Sequence, residues 1–307
     1  MKLDVLIIGY GSIGKRHAQI LEKRKDISKI YVVTKQKLKN FITLKSISEV
    51  SSINPDYIII ANNTSKHLAT LKNIERLFSN KFVLIEKPLF HKYENFKIKN
   101  NKYFVGYNLR LHPIIKKIKQ LINKKKIFLV NVRCESYLPL WRDNRSYSLS
   151  SSAKVDSGGG VLLDLSHELD YSMYLFGKIR VKSVFNSKIS NLKINTDDIL
   201  ILLGTIGDKK SNSLIDIKLS YFSKIPKREI FIYGDNFTIN ANLIDNSIIY
   251  RTNSKSKKIK FDKMSLMKTY SDQHDFIIKK KFNNLCSYAE GMKVMKLIKE
   301  IKEKNIL

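Results

Sequence analysis

The sequence predicts an α/β fold: a doubly wound parallel sheet at the N-terminus, then an α+β domain with an open, mainly antiparallel sheet. Three observations predict it. The first hundred residues alternate short apolar runs with amphipathic helical stretches. The glycine pattern Gly9-Tyr10-Gly11-Ser12-Ile13-Gly14 stands directly after the first apolar run. Beyond residue 177 the alternation gives way to period-two runs with no long helix between them.

Residues 3–8 (LDVLII) are apolar enough for a strand buried on both faces. A helix is expected at 15–23, strands at 29–34 and 55–61, an amphipathic helix at 64–78, and strands at 81–86 and 102–107. A helix near 110–124 leads to a strand at 127–137 and a long loop at 138–160. Residues 158–177, GGGVLLDLSHELDYSMYLFG, read as one helix entered through three glycines. Runs at 197–206, 213–222 and 228–234 build the second sheet, and helices near 264–281 and 285–304 close the chain. The expected domains are residues 1–108 and 109–307.

A length of 307 residues suits two domains, and 43% hydrophobic content supplies their cores. No apolar run nears the ~20 residues that a bilayer span requires. The opening MKLDVLIIGYGSIGK makes a poor signal peptide, because its apolar stretch is short and Asp4 interrupts it. Cys134 and Cys286 form neither a disulfide framework nor a zinc spacing. A soluble, reduced, cytoplasmic protein is expected, with no membrane partner. Lys and Arg outnumber Asp and Glu by 57 to 27, a net charge of +30. One reading is a polyanionic partner; the other is solvated lysine spread by compositional bias. The lysines are scattered, and no zinc-finger, basic-zipper or aromatic-basic RNA motif accompanies them. No specific nucleic-acid partner is therefore expected.

The glycine pattern follows a buried strand and opens a helix, the setting of a dinucleotide site in a Rossmann domain. There, backbone N–H groups approach a pyrophosphate at the helix N-terminus. Gly9, Gly11, Ser12, Ile13 and Gly14 are the candidate contacts. An NAD site places Asp or Glu about 20 residues on. Here the second strand ends in Val33-Thr34-Lys35-Gln36-Lys37. No carboxylate opposes a 2′-phosphate, Thr34 offers a hydrogen bond and Lys35 a positive charge. NADP is the expected cofactor, with NAD as the alternative.

Glu86-Lys87-Pro88 ends the fourth strand. ANNTSKH (61–67), GYNLRLHP (106–113) and GGGVLLDLSHELD (158–170) complete an ordered set. Over the first 170 residues this set resembles the glucose-fructose oxidoreductase / inositol dehydrogenase family (Gfo/Idh/MocA). The resemblance implies a Rossmann domain and an open-sheet domain with the active site between them. It implies a homo-oligomer, dimer or tetramer, through the C-terminal sheet. It places Asn62, Asn63, His67, Glu86 and Lys87 at the cofactor, a cis bond before Pro88, and Arg110 at the substrate. Lys87 would sit beside nicotinamide and substrate, and His167 would handle the proton of the reacting sugar hydroxyl. Asp164 lies three residues before His167, where the commoner family form has four. That short form, with Trp141-Arg142 and Arg145-Ser146-Tyr147-Ser148 in the preceding loop, is similar to a subgroup that accompanies bacterial surface-sugar synthesis.

The residues of the central helix carry a reading of their own. At about 100° per residue, Leu162, Leu165, Leu169, Met173 and Phe176 share one side. Asp164, His167, Asp170, Tyr171 and Tyr174 share the other, with Glu168 at its edge. A solvated face in this chain would carry lysine, and positions 160–177 hold none. A site is expected there, with His167 as base, Asp164 or Asp170 as its orienting carboxylate, and Lys87 polarising the oxygen. This chemistry needs no metal. His17, His91 and His274 lack such a cluster, and His67 and His112 are expected to be structural or beside the cofactor. Arg142 and Arg145, with Trp141 and Tyr147, either bind a carboxylate or phosphate on the substrate or pair with protein carboxylates. The expected function is hydride transfer between a nicotinamide and a hydroxyl or keto carbon of a sugar or nucleotide sugar. The alternative is a dinucleotide-bound regulatory protein without turnover.

Overall fold

The computed structural model describes residues 2–142, 146–207, 213–262 and 266–305. In chain order it runs β1 (Leu3–Ile8), α1 (Ser12–Glu22), β2 (Ile27–Val33), β3 (Ile42–Leu44), β4 (Tyr57–Ile60), α2 (His67–Leu77), β5 (Phe82–Ile85) and β6 (Lys102–Val105). Next come α3 (Pro113–Leu121), β7 (Ile127–Tyr137), α4 (Val161–Asp164), α5 (His167–Phe176), β8 (Arg180–Ser187), β9 (Ile199–Thr205) and β10 (Leu214–Ser220). The chain ends with β11 (Phe222–Gly234), β12 (Phe237–Asn242), β13 (Ser247–Thr252), β14 (Ser256–Lys260), α6 (Leu266–Ile278), β15 (Cys286–Ser287) and α7 (Tyr288–Glu303).

The apolar runs of the N-terminal region are apolar because their strands are covered on both faces. Val5, Leu6, Ile7, Ile58, Ile59, Ile60, Val83, Leu84 and Ile85 are wholly buried. They lie in a sheet of order β15-β6-β5-β4-β1-β2-β3, parallel except for the β15–β6 pair. Chain order reverses between β1 and β4, so this is the doubly wound topology with its switch point there. The short β3 was not among the expected strands, since three residues give no readable period.

The second sheet has the order β14-β13-β12-β11-β7-β10-β9-β8 and is antiparallel except where β10 runs parallel to β7. Its period-two pattern reflects one covered face. Val130, Val132, Leu200, Leu202, Ile215, Ile217, Ile230 and Ile232 are wholly buried. Their alternates Ile201, Leu203 and Leu214 are more than 40% exposed. Strands β12 to β14 were not anticipated; FTINAN, SIIYRT and SKKIK are too polar to stand out.

The chain divides into two compact units, Met1–Asn108 with Leu266–Met295, and Leu109–Ser265 with Lys296–Leu307. Residues 266–295 thus belong to the first unit, unlike a linear division at 108/109. Within that unit α6 packs against α1, and Asn108 donates to the Thr269 hydroxyl at 2.9 Å. Cys134 and Cys286 are buried and not joined in a disulfide. Among the described residues no helix is long and apolar enough to cross a membrane.

Candidate active site

In the first unit the loop between β1 and α1 meets the end of β4 at the switch point. Gly9 has φ +101°, and a Cβ on it would lie 2.6 Å from the Asn62 Cα. A Cβ on Gly14 would lie 2.0 Å from the Gly9 carbonyl oxygen, so α1 is drawn tightly onto its own strand. Gly11, the N-cap of α1, has no protein atom within 4 Å of where its Cβ would stand. The first turn of α1 carries no acid, and Gly11 and Ser12 are exposed, with Ile13 half-buried. Asn62 donates to Thr70 Oγ1 at 2.8 Å, while its buried Oδ1 has no protein partner. Open N–H groups at a helix start and a buried polar atom beside them fit the phosphates and adjoining groups of a dinucleotide. At the end of β2, Thr34 Oγ1 accepts from Gln36 N at 3.2 Å and Lys35 is exposed. Asn63 is exposed one residue beyond Asn62.

The Glu86-Lys87-Pro88 turn follows β5, with a cis bond between Lys87 and Pro88. Lys87 is half-buried. Glu86 is 6% exposed; one carboxylate oxygen accepts from His17 Nε2 at 2.9 Å and the other from the Lys87 backbone N–H at 3.3 Å. His67 faces the Pro88 and Leu89 carbonyls with Nδ1 and the Asn62 carbonyl with Nε2, each at 3.1 Å. Burial pushes its pKa down, against the pull of those carbonyls. His67 and Glu86, both expected at the cofactor, make hydrogen bonds to protein in this structure. The polar atoms of both side chains are spent on protein, so they brace the loops that carry Asn62 and Lys87.

In the second unit the expected single helix is two, α4 and α5, broken at Leu165 and Ser166. The Ser166 hydroxyl donates to the Leu163 carbonyl at 2.7 Å and turns the chain there. The glycines before α4 make room for protein. Gly160 has φ +112°, and its Cβ would lie 2.1 Å from Asp197 Oδ1. Asp197 in turn accepts from Leu162 N at 2.8 Å through Oδ2 and from Val161 N at 3.0 Å through its carbonyl.

The polar face expected on this helix separates into two kinds of group. Glu168 is fully buried and accepts from Arg228 Nε at 2.7 Å. Asp170 is 1% exposed and takes Arg110 Nε at 2.9 Å and Nη2 at 2.7 Å. Arg110, expected at the substrate, is itself 2% exposed; its fork holds Asp170 and its guanidinium lies 4.7 Å from the centre of the Tyr174 ring. Asp170, expected as a possible orienting carboxylate for His167, is thus the buried ion-pair partner of Arg110. Asp164 and His167 are the half-buried pair left with access. Asp164 Oδ2 accepts from the Tyr221 hydroxyl at 2.6 Å.

Trp141 stands edge-on to Tyr221, ring centres 5.3 Å apart. Trp141, Arg142 and Tyr147 line one small pocket with Leu138, Ser150 and Ser152. Three of the four expected substrate residues of the loop therefore meet there. Arg145 lies outside the described residues. Among the described residues no cluster of His, Cys, Asp or Glu could hold a metal ion.

Residues 3–99 match the model of an oxidoreductase family with an NAD-binding Rossmann fold, GFO_IDH_MocA. Over this stretch the chain is similar to the Gfo/Idh/MocA family. No curated protein sequence matches the chain. Three solved structures share its fold at low identity. UDP-N-acetylglucosamine 3-dehydrogenase GnnA from Acidithiobacillus ferrooxidans is 15% identical with a TM-score of 0.76, over 99% of this chain and 98% of that one. The WlbA dehydrogenase from Bordetella pertussis, in complex with NADH and UDP-GlcNAcA, is 15% identical with a TM-score of 0.76, over 99% and 96%. A super-repressor mutant of Gal80p from Saccharomyces cerevisiae is 13% identical with a TM-score of 0.81, over 100% and 96%. Dehydrogenases and a repressor thus share one fold, and function has to be argued from the site.

Within the Gfo/Idh/MocA stretch, the sequence reading missed His17. It stands three residues after Gly14, and its nearness to the glycine loop was the available signal. Tyr221 and Arg228 gave none, since they reach Asp164 and Glu168 from 57 and 60 residues away. His112 is structural: its Nδ1 accepts from Ile114 N at the start of α3, and burial, with Arg228 nearby, lowers its pKa to about 4.

Proposed function

We propose that this protein is an NAD(P)-dependent oxidoreductase acting on a hydroxyl or keto carbon of a sugar or nucleotide sugar, with NADP preferred. The observation that carries the reading is the open N-terminus of α1 beside the buried Asn62 Oδ1 at the sheet's switch point. Gly9, Gly11, Ser12, Ile13, Gly14, Asn62 and Asn63 would hold the dinucleotide, and Thr34 and Lys35 its 2′-phosphate. When bound, the nicotinamide supplies or accepts the hydride. In the oxidative direction His167 takes the hydroxyl proton as the C–H hydride leaves, and the Lys87 ammonium steadies the charge growing on that oxygen. Asp164, held by Tyr221, sets the polar surroundings of His167. Trp141, Arg142 and Tyr147 give the pocket a flat apolar wall and a cation, suited to a sugar with a carboxylate or phosphate. A second copy of the chain covers the open sheet face at Ile201, Leu203 and Leu214, and the reduced cysteines suit the cytoplasm.

Fluorescence titration with NADPH and NADH tests the cofactor; tighter NADH binding overturns the NADP preference. A panel of nucleotide sugars and free acidic sugars, followed by NADPH absorbance, tests turnover. Lys87→Ala and His167→Ala should still bind NADPH while turnover drops by about 10²–10⁴-fold each, the range for a lost acid or base. Near-normal turnover in His167→Ala removes it as the base. NADPH binding without turnover of any sugar favours the regulatory reading. Light scattering that finds a monomer overturns the sheet-face contact.

A further inference from the structure

Four buried side chains of the first unit, distant in sequence, form one line of hydrogen bonds. Tyr57 at the start of β4 lies with its hydroxyl 3.0 Å from His274 Nδ1 on α6. His274 Nε2 is 2.9 Å from His17 Nδ1 on α1. His17 Nε2 is 2.9 Å from Glu86 Oε1, at the end of β5. Their exposures are 1%, 0%, 0% and 6%.

The protons of this line can be placed. An ionised Glu86 only accepts, so His17 donates from Nε2. If the His17 ring carries only that proton, it accepts at Nδ1 and His274 donates from Nε2. His274 accepts at Nδ1, where the Tyr57 hydroxyl donates. Each bond points toward Glu86, so each polarises the next. Burial pushes the His274 pKa well down and keeps its ring neutral, as this placement requires. Tyr57 is pushed well up by its own burial, so it stays a donor.

Packing alone would not call for this. Burying two imidazoles, a phenol and a carboxylate costs free energy that apolar side chains would not, and a satisfied polar line returns fixed geometry. What it fixes is Glu86. The second carboxylate oxygen accepts from the Lys87 backbone N–H at 3.3 Å, and the carboxylate lies where a Cβ on Gly106 would stand 2.8 Å from Oε1. His17 belongs to the helix that the glycine loop opens. One imidazole therefore joins the cofactor helix to the turn bearing Lys87.

We propose that His17 is a positioning residue for Lys87, holding the Glu86 carboxylate that receives the Lys87 backbone N–H, with His274 and Tyr57 setting the His17 tautomer. The proposal rests on the reading of Lys87 as the group at the reacting oxygen. Long-range ¹H–¹⁵N spectra of the full chain labelled at histidine should show His17 and His274 as neutral Nε2–H tautomers. A His17 proton on Nδ1 overturns the proposal. In His17→Leu the Lys87 amide resonance should shift and its hydrogen exchange quicken, and in His17→Gln, which keeps a donor toward Glu86, it should return. An unmoved Lys87 amide in a folded His17→Leu overturns it as well. Should His17→Leu fail to fold, Tyr57→Phe provides the second variant, expected to move the ring nitrogens of both histidines; unmoved rings overturn the line. On a sugar that turns over, His17→Leu should lower kcat by up to about 10²-fold, as misplacement of a reacting group does, with the NADPH dissociation constant little changed. Absence of turnover in the wild type defeats the proposed function and leaves the tautomer and amide results to decide on His17.

Discussion

Two glycine runs open helices in this chain, and the helices they open are built differently. At α1 the N-cap is Gly11, with no protein atom within 4 Å of its missing Cβ and no acid in the first turn. At α4 the protein supplies its own anion. Asp197 fills the N-terminus, accepting from Leu162 N with its side chain and from Val161 N with its carbonyl. The glycines at 9–14 leave the helix dipole open to a ligand, while those at 159–160 admit neighbouring loops of the same chain at Ser151, Ser152 and Asp197. A glycine run is therefore half of a phosphate-site argument, and the other half is what the fold sets before the helix.

The largest effect should come from the ion pairs behind the second run. Arg110 and Asp170 are 2% and 1% exposed, so removing one leaves the other charged and buried. Arg110→Ala is expected to cost about 3–5 kcal/mol, read by urea unfolding. Arg110→Met with Asp170→Leu should cost much less, because both charges go together. If the single change is as mild as an ordinary surface substitution, these groups are not the anchors described, and α5 regains its claim to a polar working face.

Next in size is an exchange of the two helix starts. Gly11→Asp puts at α1 the carboxylate that α4 already has. Its φ of −75° suits Asp, its Cβ meets nothing, and Asp is a favoured N-cap, so thermal stability should hold or rise. The new charge would stand where the pyrophosphate is expected. Two like charges about 4 Å apart near a protein surface repel by roughly 4 kcal/mol, so NADPH affinity should fall by about 10²-fold or more. Unchanged NADPH binding in Gly11→Asp would separate the glycine loop from the cofactor.

The same contrast explains what was legible in the sequence. The parallel sheet and the glycine loop could be read because both rest on local patterns: apolar runs buried on two faces, and glycines between a strand and a helix. In the central helix the pattern misled. A regular wheel placed Asp164, His167, Asp170 and Tyr171 together, but the turn at Leu165 and Ser166 breaks the phase. Tyr171 and Asp170 are buried as fully as Leu169. The absence of lysine there reflects burial of most of the helix, Asp164 and His167 being half-buried, as are Met173, Tyr174 and Leu175 near its end. Neither Arg110 with Asp170, nor Arg228 with Glu168, nor the line from Tyr57 to Glu86 leaves a trace in local spacing. Their partners are brought together by sheet order and by α6 returning to the first unit.

The smallest effect concerns Asp197, and it separates cap from charge. Burial raises the Asp197 pKa above the ordinary value, outweighing the bonds from Leu162 N and Asn186 that lower it. The folded protein therefore keeps a proton on Asp197 at a pH where the unfolded chain has lost it. More protons bound in the folded state mean that this group's contribution is full below the unfolded Asp pKa of about 3.9 and is lost as pH rises through the folded value. Asp197→Asn keeps an oxygen for Leu162 N and removes the titration, so its stability should match or exceed the wild type at pH 7, with a flatter slope in the acid range. Asp197→Ala loses the cap at every pH, at a cost of about 0.5–2 kcal/mol. Both variants should bind NADPH as the wild type does, because the anion at α4 is structural. Unfolding curves at pH 4 and pH 7 with an NADPH titration make the measurement. An Asn variant weaker than the Ala variant at pH 7 would mean that the charge itself holds α4, and a shift in NADPH affinity would mean that the second glycine run also serves the cofactor.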